Sequence, residues 1–112
     1  MPPLRRYLTG VRFCPWYPLS AAATRMPAGE IVLQLRVAEG LIDYPSGKSA
    51  MVHYEHTLDA VVVVTALAAS HADRSLWCRH LDLEGDRDVD LAAFHAKLLA
   101  EFVRRFGRAP SL

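Results

Sequence analysis

Two hydrophobic periods alternate along the chain. The helical one is clearest near the C-terminus, where Leu91, Phe94, Leu98, Leu99, Phe102, Val103 and Phe106 recur at three- and four-residue steps. That spacing lines one face of a helix over about 89–106. Asp88 or Asp90 can cap its start, Arg104 and Arg105 complement the dipole at its end, and Gly107 followed by Pro110 terminates it. The two-residue period appears at 31–37, where Leu33, Leu35 and Val37 alternate with Gln34 and Arg36 as in a half-buried strand. A second strand is expected over 50–56 and a third over 75–82. The Pro- and Gly-punctuated stretch 39–48 reads as a long loop joining the first two, and 84–87 as a second loop.

The run 58–70 carries conflicting signals. Val61 to Val64 favour strand, whereas Ala66, Leu67, Ala68 and Ala69, with Thr57 or Asp59 as a cap, favour helix. Helix is the preferred reading, and a segment apolar on all sides is buried on more than one. Ser20 can cap a short helix over about 20–26 that Pro27 and Gly29 end. Residues 1–18 hold Pro2, Pro3, Pro15 and Pro18 and form an extended arm. The expectation is an arm over 1–18 and one α+β domain over 19–110. That domain has a small three-stranded, mainly antiparallel sheet flanked by helices.

Composition narrows the function classes without naming one. The chain has 112 residues, 52% hydrophobic and 22% charged, as in an ordinary globular domain. A formal net charge of +1 argues against a nucleic-acid partner, and any DNA affinity is expected to be on the order of 10⁻⁴ M or weaker. Eleven of the thirteen basic residues are Arg. Cys14 and Cys78 stand far apart in sequence, with neither disulfide nor zinc spacing. The longest apolar run, 60–69, is about half a membrane span, and no apolar stretch follows Arg5 and Arg6 as a signal peptide would require. A cytoplasmic protein with free thiols and no membrane association is expected.

Pro27 before a strand, a loop, a second strand, an apolar helix, a third strand and the helix around Ala93-Phe94-His95 together resemble the GIY-YIG nuclease domain over about 19–110. On that resemblance the first signature falls on Ile31-Val32-Leu33, with Ile31 in place of glycine and Leu33 in place of tyrosine. The second falls on His53-Tyr54-Glu55, with His53 for tyrosine and Glu55 for glycine. Val63 stands where the family has its catalytic arginine, and His95 where it has its metal-binding glutamate. The resemblance implies the fold. The substitutions argue against nuclease activity, because leucine and valine can neither activate water nor meet phosphate charge.

The same positions supply candidate chemistry. His53 and Glu55 share one face of a strand, with Tyr54 and His56 on the other. The carry-over sets His53 and His95 across the family's cleft, where two imidazoles suit acid–base catalysis with Glu55 as orienter. Leu33, Val63, Trp16 and Tyr17 would line an apolar pocket for a small, apolar or aromatic substrate. No cofactor and no metal are expected, although two histidines and a carboxylate are a ligand set that zinc or iron accepts. The competing reading is a catalytically dead module that binds a protein or nucleic-acid partner, with the valines supplying a homodimer face. A Cys–His nucleophile would need Cys14 or Cys78 beside a histidine, and nothing in the sequence puts one there. Trp77 and Cys78 read as core or sheet-face residues. Pro45-Ser46-Gly47-Lys48-Ser49 lacks the first glycine of a phosphate loop and reads as a turn.

Overall fold

The computed structural model describes residues 11–83 and 89–112. Its strands are β1 (Val11–Phe13), β2 (Tyr17–Pro18), β3 (Ile31–Val37), β4 (Ile42–Tyr44), β5 (Gly47–Ser49), β6 (Met51–Thr57) and β7 (Leu76–Leu83). Its α-helices are α1 (Ala22–Arg25), preceded by a 3₁₀ turn at Leu19–Ala21, α2 (Ala60–Ser70) and α3 (Leu91–Phe106). The class is α+β, and the three expected core strands form as β3, β6 and β7. The loop expected at 84–87 and the alternative cap Asp88 lie outside the described residues.

The sheet has five strands where three were expected, because the proline-rich arm joins it. β1 and β2 follow one another along the edge of β7, with β3 and then β6 beyond. Every pairing is antiparallel. Pro18 is tolerated there because an edge strand can leave one N–H position unused. The long loop also carries structure of its own, a β4–β5 hairpin closed at Tyr44↔Gly47.

Topology explains why the valine run is helical. β6 and β7 both pair antiparallel with β3 from opposite sides, so they run parallel to each other. A parallel connection must carry the chain back along the sheet, and a helix is the usual bridge. α2 begins without the expected side-chain cap: Thr57 Oγ1 accepts from Asp59 N at 3.0 Å, and the first helical N–H, of Ala60, is met by Gly29 O at 2.9 Å.

Strand alternation divides the core into two layers. Ile31, Leu33 and Leu35 point to one face, here the front, where Val52, Leu76 and Cys78 join Ala60 and Val64 of α2 and Ala22 of α1. Val32 and Leu81 point to the back, against Leu91, Phe94 and Leu98 of α3. A bulge between Leu35 and Arg36 shifts the β3–β6 register, pairing Arg36 with Met51. α3 starts at Asp90, whose Oδ1 accepts from Ala93 N at 3.0 Å, and stops at Gly107 in the left-handed conformation. Its C-terminal end holds the hairpin: Ser46 N donates to Phe106 O, and Tyr44 packs edge-on against Phe102 at 5.1 Å.

Candidate functional site

The histidines singled out from the sequence do not meet. His53 and Glu55 lie opposite Leu35 and Leu33 on the front of the sheet, with His53 Nε2 and Glu55 Oε1 at 2.6 Å. His95 belongs to α3, on the back, where its ring lies 6.2 Å from that of His56. His56 in turn bonds Glu30 at 2.7 Å. A one-residue step along a strand reverses the side-chain direction, so it is His56, not His53, that reaches the helix. With a sheet between them, His53 and His95 cannot act on one bound molecule, and the expected cleft pair is corrected accordingly. The proposed pocket is likewise dispersed. Leu33 is fully buried in the front core and Val63 is half-buried on α2. Tyr17 is 2% exposed, whereas Trp16 emerges on the back. Among the described residues no group of three or more His, Cys, Asp or Glu is arranged to hold a metal ion.

Two other clusters form instead. The first, on the front, is Cys14, Tyr17, Cys78 and His80. Tyr17 Oη lies 2.8 Å from His80 Nδ1, and Cys14 Sγ accepts from the backbone N–H of His80 at 3.3 Å and lies 3.5 Å from Nδ1. Burial pushes the Tyr17 phenol well above its ordinary value and the Cys78 thiol up to about 12; Cys14 adds to both, whereas the hydrogen bond with Tyr17 opposes the rise at Cys78. Burial also lowers His80, against the opposing pull of Asp82. Tyr17 therefore keeps its proton, and its hydroxyl shares a hydrogen bond with a neutral imidazole. A Cys–His contact with no precedent in the local sequence thus exists, created by the pairing of the N-terminal arm with β7. It is occupied by internal hydrogen bonds, which is the behaviour of a packed polar core.

The second cluster lies on the back of the sheet, on the corner that α3 leaves open. Gln34 and Arg36 of β3 pair across with Arg79 and Trp77 of β7. The Arg79 guanidinium lies 4.5 Å from the Phe13 ring centroid and 4.4 Å from that of Trp16, and Arg36 lies 5.4 Å from Trp16. Arg79 Nε donates to Gln34 Oε1 at 2.8 Å, which fixes the guanidinium plane against a buried amide. Arg36 Nε donates to Val37 O at 3.1 Å. Among the described residues neither guanidinium has a carboxylate within ion-pair distance. Partial burial lowers the Arg79 pKa, with Tyr54 opposing, yet a guanidinium remains charged throughout the physiological range.

A shallow depression of about 220 Å³ is lined by Trp16, Arg36, Ala38 and Trp77. Ala38 and Trp77 continue into a larger trough of about 640 Å³ that includes His71 and Arg74. The corner therefore offers two indole faces and two fixed cations, with no anion beside them among the described residues. It is suited to a ligand that is both planar and anionic. From the sequence, Trp77 reads as structural and Arg36 as the polar side of a half-buried strand. The signal that could have found the corner is the alternation Gln34/Arg36 and Trp77/Arg79, which puts aromatic and guanidinium groups on one face once the two strands pair.

No family model, curated protein or solved structure matches this chain.

Proposed function

We propose that the protein is a non-catalytic binding module that takes a segment of single-stranded nucleic acid on the open back corner of its sheet. The scaffold proposed is GIY-YIG-like, supported by the order β3, β6, α2, β7, α3, with the nuclease residues replaced at Leu33, His53, Val63 and His95.

One observation carries the reading: Arg36 and Arg79 are held against Trp16 and Phe13 with no carboxylate among the described residues to neutralise them. Bases stack on indole and guanidinium planes, and phosphates satisfy guanidinium N–H groups. The depression is shallow and leads along Trp77 towards Arg74, a form suited to a chain passing across the surface. The small net charge is consistent with local recognition and not with long-range tracking of a duplex.

The chain's two tryptophans both lie at this corner, so intrinsic fluorescence reports it directly. Titration with a single-stranded octanucleotide is expected to quench that emission saturably. Trp16→Ala and Arg79→Ala should each weaken binding, by between about 5- and 150-fold if one stacked base is lost. Arg79→Lys, which keeps charge and loses the plane, should also weaken it. A mononucleotide arm separates a free-nucleotide ligand from a strand, and a duplex arm should give little quenching. No quenching at millimolar oligonucleotide, or equal affinity of the variants, would defeat the proposal.

A further inference from the structure

The opposite edge of the sheet presents a different surface. β6 is the terminal strand among the described residues and pairs only with β3. Alternate residues of an edge strand direct their N–H and C=O groups outward, ready to receive another strand. Natural edges are commonly blunted by Lys, Pro or a very short strand. β6 runs seven residues, Met-Val-His-Tyr-Glu-His-Thr, and carries none of these. Its one bulge lies at the Met51 end, leaving His53 to Thr57 in regular register with β3.

From this we infer that β6 is a homodimer edge, pairing antiparallel with β6 of a second copy about a two-fold axis at Tyr54. The register follows from side-chain complementarity. Centred on Tyr54, His53 of each copy stands opposite Glu55 of the other, twice over. Centred on Glu55, two carboxylates would oppose each other, and centred on His53, two imidazoles would. An imidazole opposite a carboxylate has a hydrogen-bond partner in it, whereas two opposed carboxylates repel each other and two opposed imidazoles leave the carboxylates without a partner across the pair. Both side chains are available for this: they are 26% and 30% exposed and point to the front face, where their internal contact leaves the second carboxylate oxygen without a bond among those described. The axis stands perpendicular to the sheet, so both front layers stay on one side and the two sheets merge into one. This edge lies on the far side of β3 from Trp16 and Arg79, and the inference does not depend on nucleic-acid binding.

Sedimentation of the full chain should show a reversible monomer–dimer equilibrium. His53→Glu, which opposes two carboxylates across each contact, and Glu55→Lys, which opposes an ammonium and an imidazole, should each weaken self-association by about tenfold or more. An equimolar mixture of the two variants should recover association as a heterodimer. In that pairing the introduced carboxylate of one chain meets the introduced ammonium of the other, and the unaltered Glu55 of the first meets the unaltered His53 of the second. Recovery in the mixture shows that both variants are folded and that the contact is between chains. Hydrogen exchange of the unmodified protein provides a second measurement: outward amides of β6 should gain protection as concentration rises through the dimerisation range. A protein monomeric at several hundred micromolar, variants that associate as tightly as the parent, a mixture that fails to recover, or β6 amides indifferent to concentration would each overturn the inference. Dimers that persist in both variants would overturn it too, by pointing to another surface such as the apolar side of α2.

Discussion

His80 shows how a single side chain links burial to pH. It is 8% exposed, its Nδ1 shares a hydrogen bond with the Tyr17 hydroxyl, and burial lowers its pKa below the ordinary value. In the unfolded chain it would take up a proton near pH ~6.5, before the folded protein does. The unfolded state therefore binds more protons just below that pH, and acidification favours it. Stability should be level above ~6.5 and fall as the pH drops towards the lowered folded value. Urea melts across the neutral to mildly acidic range should show this loss. His80→Gln, which keeps a hydrogen-bonding side chain without the titration, should flatten it. An unchanged slope would assign the acid sensitivity to another group.

Among the elements, the junction of α3 with the β4–β5 hairpin is the most constrained. Gly107 ends the helix with φ 92°, a conformation that L side chains rarely adopt. A Cβ there would also lie 2.9 Å from Pro45 Cβ and 3.1 Å from Ser46 Oγ. Left-handed backbone alone costs roughly 1–2 kcal/mol for a residue other than glycine, and the contact with the Pro45 ring adds to it. Gly107→Ala should therefore lose about 2 kcal/mol or more in denaturant melts. Because Ser46 N donates to Phe106 O, the Ser46 amide should exchange faster as well. A melt matching the parent would mean that the hairpin shifts freely to make room. In the sequence Gly107 is legible as the terminator, whereas 39–48 reads as a plain loop. The hairpin is hidden because its strands are three residues each, too short for a period to register, and because Tyr44 owes its burial to Phe102 and Phe106 far along the chain.

For the molecule as a whole, charge is nearly balanced while its placement is not. Among the described residues Arg36 and Arg79 stand without carboxylates at one corner, whereas Lys48–Asp43 and Arg104–Glu101 are paired elsewhere. If those two guanidinium groups are the phosphate contacts, binding to single strands should have a shallow salt dependence. The slope of log K against log salt should be about −1.4, from ~0.7 per phosphate. Fluorescence titrations over a range of salt concentrations measure it. A slope several times steeper would show that Arg74, Arg104, Arg105 or Arg108 also contact the strand. A slope near zero would remove phosphate recognition from the proposal and leave stacking alone.

Local pattern was enough to place a helix near 89–106, strands near 31–37, 50–56 and 75–82, a short helical turn before Pro27 and the α+β class, and these elements form within a residue or two of those bounds. Each rests on a period, a cap or a breaker within a few residues, and such signals act without tertiary help. The helical state of Val61 to Val64 was open in the sequence, and the parallel relation of β6 to β7 decided it. Tertiary structure alone decided which side chains share a place. It put His53 and His95 on opposite faces, brought His56 to His95, set Cys14 beside His80, and assembled Trp16, Arg36, Trp77 and Arg79 from three stretches of chain. The physical reason is that a strand turns each successive side chain to the opposite face, so a one-residue difference in register changes every partner. A chain pattern states that alternation, and only the pairing of strands states what each face meets.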